Sequence, residues 1–283
     1  MKKNPRFIPN ESLPNREISG LIQSYDIVGD IAVIRVPEEF KSLSSNIAEA
    51  IMRTQKHVKT VLRQTSAVSG EYRLRQLEWI AGENRTETVH REFGCVFKVD
   101  LSKCYFSPRL SFERMRIAKL VQPNETVLNM FAGVGTFSVL MAKYGGALTV
   151  FSIDVNPVAV EYMRTNIRLN RVQSQVAPIR GDAKQVMQGL KSVANRVTMP
   201  LPEKAFEYLD YAIMALKPTN GWIHYYDFEY ASKKEDPIEK AKARIAMKLQ
   251  KLCKNFSVSF GKVVRSTGPN WHQIVLDIKA SKK

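Results

Sequence analysis

Residues 127–142, VLNMFAGVGTFSVLMA, constrain the fold more than any other part of the chain. A short, largely apolar run leads into a turn bearing Gly133 and Gly135, and a helix-patterned segment follows at once. A strand that is apolar on both faces has to be covered on both faces, which is the condition of a parallel sheet layered by helices. The rest of the C-terminal half keeps the same rhythm. LTVFSIDVN (148–156), QVAPIRGDA, ANRVTMPLP and GWIHYYDF read as strands. PVAVEYMRTNIRLN, opened by Pro157, KAFEYLDYAIMAL and DPIEKAKARIAMKLQKLCKNF read as helices, and SVSFGKVVRS and WHQIVLDIKA as closing strands that pair antiparallel at an edge. Strands alternating with helices of this length predict the α/β class, with a doubly wound, mostly parallel sheet.

The N-terminal part has a different texture. Residues 1–19 hold several prolines and polar side chains and read as a leader. Two apolar runs flank Gly29 and Asp30, a hairpin pattern. Residues 40–65 space apolar side chains three and four apart, which predicts one amphipathic helix capped by Ser44 or Ser45. RLRQLEWIAG, ETVHREFG and CVFKVDL read as three strands, and SFERMRIAKLV as a helix. The expected division is a leader at 1–19, a small α+β domain at 20–108, and a doubly wound domain at 109–283.

Charge narrows the function. Lys and Arg number 43 against 27 acidic residues, a formal net charge of +16. An excess of this size favours a polyanionic partner, since neutralising phosphates releases counterions and steers encounter. The three cysteines, Cys95, Cys104 and Cys253, lie far apart with no CxxC pair. That excludes a disulfide framework and a cysteine zinc site and suits a reducing cytoplasm. No apolar run approaches the ~20 residues that span a bilayer. No metal and no membrane partner are expected, and the chain is expected to act as a monomer.

Ligands of doubly wound sheets bind at the carboxyl ends of the strands. Glycines at 133 and 135 allow a tight turn and close approach of backbone to ligand. Asp154 ends one strand, where a carboxylate accepts both hydroxyls of a ribose, and Asp182 follows the next strand, where it receives an adenine amino group. A dinucleotide site wants a third glycine to seat the helix, and here that position is Ser138. The FAGVGTF turn instead resembles the methionine-binding turn of class I methyltransferases. The plainer reading is a strand, turn and helix with no ligand, against which stand the two carboxylates.

SGEYRLRQLEWIAGENRTETVHREFG (69–94), KVDLSKCYFSPRLSFERMRIA (98–118), FAGVGTF, NRVTMPLPEKAFEYLD and IHYYDF together resemble the archaeal and eukaryotic tRNA (guanine-N1-)-methyltransferases that act on guanosine 37. The resemblance spans about residues 20–280 and implies S-adenosyl-L-methionine as cofactor and tRNA as partner. It implies that Glu113 removes the guanine N1 proton and that Arg73 stabilises charge on O6. Arg114, Asn129, Phe131, Gly133 and Gly135 fall around the methionine end of the cofactor, Asp154 and Val155 at its ribose, Asp182 and Ala183 at its adenine. Pro200 lies at the meeting of cofactor and base, and Arg109, Pro200 and Pro202 line the target base. The chemistry agrees: a carboxylate within reach removes a weakly acidic proton, and a guanidinium facing O6 balances the charge left behind. The plainer readings are a carboxylate favouring a helix dipole for Glu113 and a solvated strand face for Arg73 and Arg75. Tyr105 and Phe106 read as core, and His224 as a hydrogen-bonded strand residue rather than a ligand.

Two positions depart from that family. Asn129 stands where an acidic residue is usual, keeping hydrogen-bonding capacity but not charge. Pro200 replaces an asparagine and offers neither a side-chain amide nor an N–H. The resemblance begins where that family's small N-terminal domain ends, so a form without that domain is expected. Two rivals remain: transfer of the aminocarboxypropyl group of the same cofactor to a wyosine precursor, and an RNA-binding protein with a degenerate cofactor pocket.

Overall fold

The structure, a computed structural model, describes residues 25–283. The expected leader therefore lies outside the described residues. Two compact units divide between Ser111 and Phe112.

In the first unit, β1 (Asp26–Val28) and β2 (Ile31–Ile34) form the expected hairpin around Gly29 and Asp30. Gly29 has φ 57°, and a Cβ there would lie 2.3 Å from Thr88 Oγ1 and 2.5 Å from the Val89 carbonyl oxygen, so the turn needs glycine. β3 (Thr60–Gln64) runs parallel to β2, and β4 (Leu77–Gly82) runs antiparallel to β3, giving a four-stranded sheet in sequential order. β5 (Glu87–Glu92) and β6 (Cys95–Asp100) form a separate hairpin.

The single helix expected over 40–65 is corrected. Helix α1 covers only Ser44–Thr54, after a 3-10 segment at Glu38–Leu43. Thr60, Val61, Leu62 and Arg63 are buried within β3 instead. β-branched Thr60 and Val61 suit the pleated surface, and pairing with β2 and β4 outweighs the local helical spacing. Ser44 is no cap either: Leu43 holds the N-cap position, and the Ser44 hydroxyl is buried without a partner.

The second unit is a seven-stranded sheet. Its strands are β7 (Thr126–Asn129), β8 (Thr149–Asp154), β9 (Val176–Arg180), β10 (Arg196–Met199), β11 (Gly221–Tyr230), β12 (Cys253–Gly268) and β13 (Trp271–Lys282). Their spatial order is β12-β13-β11-β10-β7-β8-β9. β7 to β11 are mutually parallel, while β13 lies antiparallel between β11 and β12. The chain starts mid-sheet at β7, winds outward to β9, then returns to β10 on the other side. The switch point between β7 and β10 is where such sheets open a crevice.

Helices α2 (Ser111–Leu120), α3 (Thr136–Gly145), α4 (Pro157–Leu169), α5 (Ala183–Gln188), α6 (Pro202–Ala215) and α7 (Pro237–Leu252) complete the chain order. α5 falls where the sequence reads as a loop, and Asp182 caps it by accepting from Lys184 N. The apolar faces of α6 and α7 pack through Ala205, Leu209, Ile213, Ile245 and Leu249 on a core that includes Leu128, Val197, Ile223 and Ile274.

Candidate active site

The carboxyl edge of the second unit's sheet collects most of the residues singled out from the sequence. Register aligns Asn129 of β7 with Ser152 of β8 and Thr198 of β10, and Asp154 of β8 with Arg180 of β9. The glycine turn leaves this edge between β7 and α3. Gly133 and Gly135 have φ 55° and 88°, in the left-handed region that glycine adopts freely. Asn166 of α4 donates to the Val134 carbonyl oxygen at 2.9 Å, and Ala132 N donates to the Ile153 carbonyl oxygen at 2.8 Å, so both neighbouring elements pin the turn.

Asp154 joins turn to strand. Its carboxylate accepts from Gly133 N at 2.6 Å and from Asn156 N at 2.9 Å. Burial raises its pKa above the ordinary carboxylate value, against the N–H groups of Asn156, Gly133 and Val155 that favour the charged form. Asn156, which the sequence reading passed over, caps α4 by accepting from Val158 N and Ala159 N. Its signal was present: an asparagine directly before a proline that opens a helix.

Asp182, beyond β9, accepts from Lys184 N at 2.7 Å and from the Tyr208 hydroxyl at 3.0 Å. The Tyr208 ring meets Phe131 edge-on at 5.1 Å between centroids, so one tyrosine links the aromatic side chain after β7 to the carboxylate after β9. Ala183 is buried as the first residue of α5. Nothing local in the sequence marks Tyr208, which comes from α6, across the sheet order.

Ser138, in the place of a third glycine, is fully buried, and its hydroxyl accepts from Asn129 Nδ2 at 3.0 Å. Asn129 Oδ1 is left buried without a partner among the described residues. An unmatched acceptor at the end of β7 fits a ligand whose end there carries N–H groups. Two carboxylates at successive strand ends fit the hydroxyls and amino group of a nucleoside. Pro200 and Pro202 follow β10 at the same edge, with Pro202 buried at the first turn of α6.

Glu113 stands apart from this set. It sits in the first turn of α2, 3% exposed, inside a chain of charged groups. Arg116 donates to both its oxygens, with Nη2 2.7 Å from Oε1 and Nε 3.0 Å from Oε2, and the Tyr226 hydroxyl donates to Oε1 at 2.8 Å. Arg116 Nη1 also donates to Asp277 at 2.6 Å. His224, expected to be a hydrogen-bonded strand histidine, is fully buried with two partners, Asp277 at 2.6 Å and Arg196 at 2.7 Å. A guanidinium only donates and a carboxylate only accepts, so His224 carries its proton on Nδ1. Burial lowers its pKa, outweighing the pull of Asp277, which keeps it neutral. Asp277 is raised by burial but held at about 2 by His224 and Arg116. Arg114, beside Glu113, is 2% exposed.

The remaining expected residues belong to the first unit. Arg73 has φ 55°, and its guanidinium lies 5.0 Å from the centre of the Tyr105 ring. Arg75 donates to the Phe106 carbonyl oxygen at 3.1 Å. Phe106 is buried as expected, whereas Tyr105 is half-buried beneath the arginine. Arg109 is exposed and donates to Asp26 at 2.6 Å. Cys95, Cys104 and Cys253 are buried and not joined in a disulfide among the described residues, and no helix among the described residues is long and apolar enough to cross a membrane.

The sheet order, the antiparallel β13 and the nucleoside-shaped edge define a class I methyltransferase. Comparison narrows this further. The TRM5/TYW2 methyltransferase domain matches residues 88–260, and the TYW2 N-terminal domain matches residues 7–86, which corrects the expectation of a form without an N-terminal domain of this family. The chain belongs to the TRM5/TYW2 family. It is 43% identical over 258 residues to the tRNA (guanine(37)-N(1))-methyltransferase Trm5b of Pyrococcus abyssi, covering 91% of this chain and 75% of that protein. The crystal structure of that Trm5b superposes with a TM-score of 0.85, covering 99% of this chain and 82% of the other. It is 40% identical over 257 residues to the tRNA 4-demethylwyosine(37)-methyltransferase Taw21 of Saccharolobus solfataricus, covering 90% of this chain and 93% of that protein. A complex of aTrm5 with tRNALeu matches at a TM-score of 0.82 and 36% identity, covering 99% of this chain and 79% of the other.

Proposed function

We propose that the chain transfers the methyl group of S-adenosylmethionine to N1 of guanosine at position 37 of tRNA. The observation that carries this reading is the Asp154 carboxylate, which ties the glycine turn to the end of β8 where a nucleoside ribose would sit. The relatives named for this reaction, matched along nearly the whole chain, support the choice of substrate.

Each residue then has a task. Asp154 and Val155 hold the ribose, and Asp182 and Ala183 the adenine. Asn129, Phe131, Gly133, Gly135, Arg114 and Pro200 surround the methionine end, where the unmatched Asn129 acceptor suits the ammonium. Bound there, the cofactor supplies an electrophilic methyl group on a sulfonium. Arg109, Pro200 and Pro202 line the base. Glu113 takes the N1 proton, which leaves an electron pair on N1 for the methyl group that the bound cofactor would supply. Arg73 balances charge developing on O6, a fixed cation placed for a transient anion. Glu113 and Arg73 then divide the work between general-base catalysis and electrostatic stabilisation. A reducing cytoplasm suits the three buried cysteine thiols.

The spent cofactor tests the reaction type. Incubation with tRNA and S-adenosylmethionine should release S-adenosylhomocysteine; methylthioadenosine instead would mean aminocarboxypropyl transfer, and neither product would leave an RNA-binding module.

A second reading is favoured by Pro200 together with the Taw21 relative, which this chain covers over 93% of its length. A loop without the asparagine amide is poorly equipped to read guanine and less restrictive toward a tricyclic base. On this reading 4-demethylwyosine at position 37 is the better acceptor. A tRNA bearing that base, offered in competition with an unmodified transcript, separates the two: preferential methylation of the unmodified transcript removes the second reading.

A further inference from the structure

We infer that Arg116, held from behind by Asp277 and His224, is the positioning residue that fixes the Glu113 carboxylate and leaves Oε2 as the oxygen that accepts the substrate proton. This rests on the assignment of Glu113 as the base. The geometry is continuous through three elements of the second unit: Glu113 and Arg116 on α2, Asp277 on β13 and His224 on β11. The links from Arg116 to Glu113, from Arg116 to Asp277 and from His224 to Asp277 are 2.7, 2.6 and 2.6 Å. The Phe260 ring, 4.7 Å from the Arg116 guanidinium carbon, covers its face. A fork gripped on two edges and one face has little freedom, and neither has the carboxylate it grips.

The donors divide unequally between the two carboxylate oxygens. Oε1 accepts from Tyr226 at 2.8 Å and from Arg116 Nη2 at 2.7 Å and Nε at 3.1 Å. Among the described residues Oε2 accepts only from Arg116 Nε, at 3.0 Å, with the Lys262 ammonium 3.9 Å away. The less encumbered oxygen keeps a lone pair for an incoming N–H.

Charge gives the arrangement its direction. The groups facing Glu113 are Arg116 on its own helix, Tyr226 on β11 and Lys262 on β12, with Asp277 and His224 standing behind Arg116. One half-buried guanidinium thus serves two buried carboxylates, and neutral His224 adds no charge. Lys262, about half exposed, is screened by solvent. Asp277, with two donors of its own, is held ionised. After transfer Arg116 and Asp277 remain as a balanced pair, and no unpaired charge is left buried.

The test is the pH dependence of single-turnover methyl transfer, with enzyme and cofactor saturating. Two charge changes should move the acid limb in opposite directions. Arg116→Gln removes the cation and should shift the limb to higher pH; Asp277→Asn removes the competing anion and should shift it to lower pH, each by on the order of one pH unit. Arg116→Lys keeps the charge but loses the fork, so its limb should stay near wild type while the plateau rate falls on the order of tenfold to a hundredfold. If Arg116→Gln or Asp277→Asn does not fold, Tyr226→Phe removes one donor to Oε1 and should shift the limb upward by less. Limbs coinciding with wild type in every folded variant would overturn the positioning role while leaving Glu113 as the base. A Glu113→Gln enzyme at the wild-type rate would instead remove the base itself, and this inference with it.

Discussion

The cofactor edge and the charged chain behind Glu113 lie in the same unit but are built on opposite principles. At the edge, backbone takes part in fixing each group: Asp154 accepts from Gly133 N and Asn156 N, Asp182 from Lys184 N beside the Tyr208 hydroxyl, and the glycine turn keeps its own left-handed φ angles. Behind Glu113, every link joins side chains, and the span from Glu113 to Asp277 crosses most of the unit. Backbone donors are aimed by the fold itself, whereas a side-chain network is aimed only when all its members are present. The edge should therefore tolerate single changes with local losses, and the network should respond as a whole.

The largest expected effect is on turnover. Glu113→Gln should slow single-turnover methyl transfer by roughly 10²–10⁴-fold, the range for loss of a general base. Cofactor affinity, measured by calorimetry, should stay within about twofold, because the two regions do different work. A parallel loss of affinity would erase the distinction between them. Next, Asp154→Asn should weaken cofactor binding by about tenfold or more, as expected when hydrogen bonds to a charged acceptor are lost, with the slope of the acid limb unchanged.

Gly135→Ala should cost roughly 1–3 kcal/mol of stability in denaturant unfolding, since φ 88° is strained for alanine. Its Cβ would also come within 2.8 Å of Met163 Cγ. An unchanged midpoint would mean that the turn is not held in this conformation.

The smallest effects are those of pH. The raised pKa of Asp154 implies that cofactor affinity begins to fall at a higher pH than an ordinary carboxylate would allow as the solution is acidified. For stability, His224 has the opposite relation to its reference. Its folded pKa lies below the ordinary 6.5, so the unfolded chain binds the extra proton. Stability contributed by neutral His224 is present above about 6.5 and is lost as pH falls from there toward the depressed folded value. Thermal melts between pH 7.5 and 5.5 should show the decline, and a flat profile would deny that His224 stays neutral.

The same contrast explains what could be read from residues alone. The parallel sheet, the glycine turn and the aspartates at strand ends were legible because each is specified within a few residues, by apolar runs, glycine or a strand end. The helix expected over 40–65 failed because its second half had the right spacing for a helix but a better partner in β2. Ser138 could be seen to break the dinucleotide pattern, yet its use as the partner of buried Asn129 could not. Tyr208, Tyr226, Arg116 and Asp277 carry no local signature. They become a set only when α2, α6, β11 and β13 are laid against the sheet. Glu113 was found by resemblance, and its partners, which decide how it can act, were not.

The most direct measurement is the identity of the methylated nucleoside. An unmodified tRNA transcript with guanosine at position 37 is incubated with methyl-labelled S-adenosylmethionine, digested, and its nucleosides resolved by mass spectrometry. The expected result is one labelled 1-methylguanosine per tRNA, and none from a transcript with adenosine at that position. Label in another nucleoside, or equal label in both transcripts, would contradict a site built to take the N1 proton of guanine.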